Sequence, residues 1–328
     1  MPDEGINVVF ATDLEYLVPT FIAAFSMMMN HTDSRRVDIY IMTPANYPMS
    51  EKTILEQLPV RFPNCSVRFL NMEDSFAMVR INCQQTKVPT MYRLMIPGTL
   101  KNLEKCIYLD SDLIVEGDIA ELYDIDVNRF CIAGVRDIEV YNFGKSVTEW
   151  QEKLKIPSLN DYINAGVLVI NLKEIRGLKL DGELVKAGYN NQYSFNDQDA
   201  INNVCYGRIK LLPIKYNIIP RWVWSREREI KKIYKKDNVS EARKQPFIIH
   251  YAGITKPWCK QHSLKAKRWW KYVNRQNPVF KEELLISFVE KQKEILYRPI
   301  GERIKNYLVA RLWRLGLYFA VKRLVDGR

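Results

Sequence analysis

The chain lacks the usual marks of a stapled, metal-clipped or membrane-spanning protein. Its six cysteines, Cys65, Cys83, Cys106, Cys131, Cys205 and Cys259, form no Cys-x-x-Cys pair. That spacing excludes a common zinc module and gives no disulfide framework; several of the six sit in apolar runs, where Cys packs as a small hydrophobe. Glycine is scarce, at 14 in 328 residues, and none falls in Phe10-Ala11-Thr12-Asp13-Leu14-Glu15. A Gly-rich phosphate loop is therefore absent after the first strand-like run. No stretch approaches eighteen consecutive apolar residues, so no transmembrane helix is expected. The opening Met1-Pro2-Asp3-Glu4-Gly5 has neither a basic segment nor an apolar one behind it, which predicts a cytoplasmic protein.

Positive charge, by contrast, is in excess. The formal net charge is +11, and it is unevenly spread. Residues Pro299 to Arg328 hold seven basic side chains against two acidic ones, a net of +5, and Arg226 to Lys236 forms a second basic cluster. Such clusters suit anionic partners. The last thirty residues also carry Trp313, Leu315, Leu317, Tyr318 and Phe319. A basic helix with aromatics fits the interfacial layer of an anionic membrane, so a peripheral position on the inner face of the cell membrane is expected.

Hydrophobic patterning divides the rest. Strands are expected at Ile6 to Ala11, Val37 to Thr43, Ser66 to Leu70, Cys106 to Leu109, Phe130 to Val135, Ile163 to Leu172, Ile209 to Pro213 and Phe247 to Tyr251. Helices are expected at Pro19 to Met29, Ser50 to Leu58, Thr90 to Ile96 and Asn196 to Val204, the last with Asn196 as its N-cap. This alternation predicts an α/β fold, a Rossmann-like, mostly parallel sheet with helices on both faces. Composition changes near Lys260, which divides the chain into an expected domain over 1–275 and a helical, basic C-terminal region over 276–328, with helices at Phe280 to Tyr297 and in the tail.

The most telling run is Cys106-Ile107-Tyr108-Leu109-Asp110-Ser111-Asp112, an apolar strand ending in two aspartates. Ligand sites of open α/β sheets lie at the carboxyl ends of strands. Two carboxylates there repel each other and call for a cation. Oxygen ligands suit Mg²⁺ or Mn²⁺, which are usually completed by water and substrate phosphates. Two further Asp-x-Asp triplets, Asp124 to Asp126 and Asp197 to Asp199, do not end strands and read equally well as turns or caps.

Five other segments fit a metal–diphosphate site. Ala11, Thr12 and Asp13 end the first strand, where a nucleotide rests in such sheets. Arg93 follows on a helix and suits phosphate or carboxylate. Asn164-Ala165-Gly166 opens a strand with residues small enough for close approach. Asp197 and Gln198 open a helix with polar groups suited to a sugar. His250-Tyr251-Ala252-Gly253-Ile254-Thr255-Lys256-Pro257-Trp258 joins a metal-ligand residue, a close-approach glycine, a cation and an aromatic.

Taken in this order, residues 6 to 275 resemble the retaining glycosyltransferases of family 8, which include bacterial lipopolysaccharide galactosyl- and glucosyltransferases and glycogenin. The resemblance rests on the Leu-Asp-x-Asp, Asn-Ala-Gly, Asp-Gln-Asp and His-x-x-Gly-x-x-Lys-Pro-Trp motifs. It implies a GT-A fold, a UDP-sugar donor carrying glucose or galactose, a glycan or glycolipid acceptor, and Mn²⁺ (or Mg²⁺). Asp110, Asp112 and His250 then match the metal ligands. Ala11, Thr12 and Asp13 match the nucleoside side, Arg93 the donor-binding arginine, and Ser111 lies within the Asp-x-Asp motif. Asn164, Ala165, Asp197 and Gln198 match the sugar side, with Asp197 and Gln198 as the catalytic candidates; Gly253 and Lys256 match the diphosphate side. Leu14 and Glu15 depart from the more polar residues of close relatives, and Ile138 to Leu159 carries no recognisable acceptor signature.

Gln198 is a neutral amide and a poor nucleophile, which favours same-face attack over a covalent intermediate. Two rivals stand beside transfer. A nucleotidyltransferase making a nucleotide sugar would normally carry a glycine-rich loop near its first strand. A non-catalytic anion- or nucleic-acid-binding protein would leave the ordered acidic and histidine motifs without a purpose, so no nucleic-acid partner is expected.

Overall fold

A computed structural model describes residues 5–72, 76, 88–142, 146–190, 193–225, 230, 233–234, 239–253, 255–259 and 264–283. Two units are distinguished, Met1–Asn274 and Arg275–Arg328. Of the second only residues 275–283 are described, so the expected helices over 280–297 and 299–328 lie almost wholly outside the described residues. The charged side chains of the 226–236 cluster lie outside them too.

The first unit is built on a seven-stranded sheet. Its strands are β1 (Ile6–Ala11), β2 (Val37–Pro44), β3 (Cys65–Met72), β4 (Lys105–Leu109), β6 (Ile132–Arg136), β7 (Ile163–Asn171) and β8 (Ile209–Leu211), in the order β3-β2-β1-β4-β7-β6-β8. All run parallel except β7, which lies antiparallel to both β4 and β6. The mostly parallel expectation therefore holds with one reversal, which alternation of strands and helices does not reveal.

Both faces of the sheet are buried. Val9, Ala11, Tyr40, Met42, Tyr108, Leu168 and Ile170 belong to one core, together with Met91, Trp150, Leu184 and Ile201 of the surrounding helices. The alternate residues Val8, Phe10, Ile39, Ile41, Ile107 and Val169 are fully buried on the other side. Period-two alternation puts these sets on opposite faces, and continuous burial of both explains why the central strands read as unbroken apolar runs. Helices α1 (Leu17–Asn30) and α2 (Met49–Arg61) follow β1 and β2. In α1 every residue from Leu17 to Met28 is buried.

Three expectations need correction. The Phe247 to Tyr251 run does not join the main sheet. Its core, β9 (Ile248–His250), pairs with β5 (Leu113–Val115), a strand not foreseen, in a separate antiparallel ribbon with Leu113 opposite His250. Secondly, the helix expected at Thr90 to Ile96 is three short turns, Val88–Met91, Tyr92–Met95 and Ile96–Thr99. Pro97 lacks the N–H that a continuous helix would direct to the Arg93 carbonyl. Thirdly, Asn196 is not the N-cap of the Asn196–Val204 helix; Phe195 is. The turn is pinned by Asp199, whose carboxylate accepts from the N–H groups of Ser194 and Phe195 at 2.8 and 2.9 Å.

Candidate functional site

Three chain segments meet at the carboxyl end of β4. The backbone N–H of Asp110 donates to the carbonyl of Gly166 at 2.8 Å, so the reversed β7 begins where β4 ends. The β5–β9 ribbon then carries His250 alongside. Asp110, Asp112 and His250 each offer a ligand atom, and these atoms lie within 4.8 Å of one another. His250 Nε2 is 3.2 Å from an Asp112 oxygen and 3.5 Å from Asp110. Its other ring nitrogen, Nδ1, lies 2.9 Å from Asn217 Oδ1. Two carboxylates and one imidazole, facing inwards and largely buried, are a donor set suited to a divalent cation. Among the described residues no other cluster of this kind occurs.

Gly166 makes this convergence geometrically feasible. A Cβ on it would sit 2.7 Å from Asp110 Oδ2 and closer still to the His250 ring. The sequence singles out Gly166 as a close-approach residue; the structure identifies what approaches it.

Cations ring the triad. Lys256 Nζ is paired with Asp112 and also donates to the Tyr251 carbonyl at 3.1 Å. Burial disfavours the Asp112 carboxylate, yet the Lys256 ammonium beside it holds its pKa far below the ordinary range. Arg93 is buried and bridges three segments: it donates to Asp110 Oδ1 at 2.7 Å and to the Ala165 carbonyl at 2.5 Å, and its Nε lies 3.1 Å from Asp197. Its guanidinium also lies 4.5 Å from the Tyr108 ring centre. Burial works against the Arg93 charge, but Asp110 and its neighbours raise its pKa nonetheless.

Every candidate residue named from the sequence lines one cavity, except Ala165. That residue acts through its backbone, giving its N–H to Gln198 Oε1 at 3.1 Å and its carbonyl to Arg93. Asp13 both lines the cavity and caps the approach to α1, accepting from Tyr16 N at 3.0 Å. Ser111 is nearly buried, donates to the Ala11 carbonyl at 3.1 Å and accepts from Thr20 at 2.7 Å, bracing the two strand ends. Apart from Asp197, the aspartates of the other Asp-x-Asp triplets do different work. Asp124 pairs with Arg35 and Asp126 closes a turn on Asn128, while Asp199 accepts from Tyr162 and Trp150.

Reading the sequence missed Tyr16, Asp137, Asn217 and Arg221. Tyr16 lines the cavity edge-on to Trp258 at 5.8 Å, and burial pushes its phenol up to about 12. Arg221, paired with Glu139 at 2.9 Å, packs over Gly253. That glycine has φ +92°, which an L side chain rarely adopts. Asp137 is buried behind Gln198, accepting from Gln198 Nε2 at 3.0 Å and Asn164 Nδ2 at 3.2 Å. A single aspartate after a strand carries no signal of its own. Asn217 is likewise one amide in an ordinary loop.

Burial, reinforced by Glu139, pushes the Asp137 carboxyl up to about 6. The folded chain thus keeps this proton up to about pH 6, while the unfolded chain releases it near pH 4. Stability from this group is present below pH 4 and lost as pH rises through 6. The gap in unfolding free energy between the native chain and Asp137→Asn is expected to shift against the native chain by roughly 2 kcal/mol between pH 4 and pH 7. Urea titrations of both proteins across that range measure it; a constant gap would remove the assignment.

The profile described as glycosyl transferase family 8 matches residues 7–262. The chain is 26% identical over 307 residues to the lipopolysaccharide 1,2-glucosyltransferase of Escherichia coli (strain K12), covering 89% of this chain and 86% of the relative. Among solved structures, the apo form of the bifunctional glycosyltransferase WbbM superposes with a TM-score of 0.73 at 25% identity. That match covers 87% of this chain but only 52% of the WbbM chain. The galactosyltransferase LgtC, solved with donor and acceptor sugar analogues, gives 0.67 at 23% identity over 83% of this chain and 98% of its own. The sheet order and these neighbours define a GT-A fold.

Proposed function

The chain belongs to glycosyl transferase family 8, and from that premise we propose that it moves a hexose, glucose or galactose, from a UDP-sugar to a glycan or glycolipid acceptor with retention of anomeric configuration. The observation that carries the reading is the meeting of Asp110, Asp112 and His250 with Lys256 and Arg93 in one cavity. Family membership favours transfer over the nucleotidyl-transfer and non-catalytic readings.

Asp110, Asp112 and His250 would hold Mn²⁺ or Mg²⁺, which when bound offsets negative charge on a leaving diphosphate. The remaining chemistry belongs to the protein. Lys256 and Arg93 place fixed positive charge at the same end of the cavity, where leaving-group charge develops. Asp197, buried beside Arg93, supplies negative charge for an oxocarbenium-like sugar. Gln198 is held at both ends of its amide, by Ala165 N–H and by Asp137. A neutral amide so clamped orients a sugar better than it attacks one, which favours same-face attack.

A panel of nucleotide sugars, each incubated with Mn²⁺ and with chelator, tests the donor. UDP release from one hexose donor, abolished by chelation, is the expected result. If no UDP-sugar is turned over, with or without acceptor, and UDP fails to bind in the presence of Mn²⁺, the proposal fails.

The likeness to a lipopolysaccharide glucosyltransferase supports an acceptor in lipopolysaccharide biosynthesis. The basic, aromatic residues 299–328 support peripheral attachment to the inner face of the cell membrane in a cytoplasmic enzyme with a GT-A domain over 1–275. Co-sedimentation with anionic vesicles should fall when 299–328 is deleted, and unchanged sedimentation would remove the membrane role. No described helix is long and apolar enough to cross a membrane.

A further inference from the structure

The two nitrogens of a metal-binding histidine are not equivalent, and the partner of one decides whether the other has a lone pair to offer. His250 lies within reach of two carboxylates through Nε2 and of an amide through Nδ1. Either tautomer satisfies a histidine seen alone. The surrounding amides decide the matter, because their orientation can be traced to a group whose role is fixed.

That group is the backbone N–H of Gly166, which is only ever a donor. It lies 3.0 Å from an atom of the Asn164 amide, which must therefore be its oxygen. The same Asn164 oxygen lies 2.9 Å from the Asn217 amide, so the Asn217 atom facing it is the nitrogen. Asn217 consequently turns its oxygen to His250 Nδ1, 2.9 Å away, and an amide oxygen can only accept. A proton on His250 Nδ1 is what that oxygen requires, so with a cation between the carboxylates Nε2 is the nitrogen that offers its lone pair. His250, Asn217 and Asn164 are all buried, so water does not readily replace a member of the relay.

We propose that Asn217 is a positioning residue for the cation site: through the chain Gly166 N–H, Asn164, Asn217, it fixes His250 as the Nδ1–H tautomer and keeps Nε2 free to ligate. The proposal rests on the cation reading of the triad. It predicts that the acceptor at position 217, rather than the bulk of the side chain, sets metal affinity. Loss of such an outer partner typically weakens metal binding by about 10–100-fold.

The chain has three histidines, His31, His250 and His262, few enough for nitrogen-15 labelling of histidine alone. Ring resonances would be recorded in saturating Mg²⁺, a diamagnetic cation, with those of His250 identified by their loss in His250→Gln. The native chain should show protonated Nδ1 and unprotonated Nε2 at His250. Asn217→Leu should mix the tautomers and weaken Mn²⁺ binding, followed by electron paramagnetic resonance of the free ion, by about 10–100-fold. An Nε2–H native histidine, or an unchanged tautomer and Mn²⁺ affinity in Asn217→Leu, would overturn the relay. A native chain showing Nδ1–H but binding no Mn²⁺ would overturn the proposal through its premise, a failure distinct from a wrong tautomer.

Discussion

Asp112→Asn is expected to lower sugar transfer by about 10³-fold while the chain still folds. The substitution keeps shape and one acceptor oxygen but removes the charge that opposes Lys256 and a bound divalent cation. A metal at a leaving group is worth several kcal/mol of transition-state stabilisation, and each 1.36 kcal/mol is tenfold in rate. Asp112 is buried with Lys256 and His250, so some destabilisation is also expected. An asparagine oxygen can still accept from Lys256, which holds that cost to a few degrees in Tm. Turnover of the donor, Mn²⁺ affinity and thermal unfolding, measured together, separate the two effects. A folded Asp112→Asn protein with full activity would end the metal assignment.

Gly166→Ala should also be strongly damaging, although it removes no chemical group. The added methyl would lie 2.7 Å from Asp110 Oδ2 and nearer to the His250 ring, far inside contact distance. Neither neighbour is free to yield: Asp110 is tied to Arg93 and Tyr108, and His250 to Asn217. Overpacking of this kind costs about 1–3 kcal/mol of stability. The larger effect falls on geometry, because misplacing a reacting or coordinating group by about 1 Å can cost 10²-fold in rate. Transfer is expected to fall by at least about 10²-fold, with Mn²⁺ affinity falling in parallel. Gly182→Ala is the control. Gly182 lies in the Asp181–Gly188 helix with open space around it, and alanine there should be neutral or slightly stabilising. Equal behaviour of the two variants would show that no close approach occurs at Gly166.

The contrast between these residues shows what the sequence makes legible. Asp110 and Asp112 stand out because an apolar strand stops at them, and the strand's neighbours β1 and β2 are equally plain apolar runs. The Asn-Ala-Gly and His-x-x-Gly-x-x-Lys-Pro-Trp segments stand out as unusual combinations of residue types. Asp137 and Asn217 do not, because their meaning lies in partners 61 and 53 positions away, Gln198 and Asn164. A buried hydrogen-bond network has no sequence period. Nor has strand direction: β7 reads as one more apolar strand, yet its reversal is what brings Asn164–Gly166 to the end of β4. Had it run parallel, that motif would start at the opposite edge of the sheet. The unforeseen β5 is three residues long, too short for any pattern, and its partner β9 looks from the sequence like another strand of the main sheet.

That short ribbon also sets the order in which the molecule can be completed as it is made. The β4–β7 pairing can close once residue 171 has emerged, but β5 has no partner until residues 248–250 are made. At synthesis rates of about 5–20 residues per second, the Leu113–Val115 edge waits roughly 7–27 seconds after its own emergence. From the emergence of residue 171 onwards, Asp110 and Asp112 stand at the end of a paired β4 without His250 or Lys256. The nascent chain therefore carries the Asp112 carboxylate without Lys256 and His250 beside an open strand edge. This is the period in which it is most exposed to misplaced strand pairing and to premature capture of cations by an unfinished site.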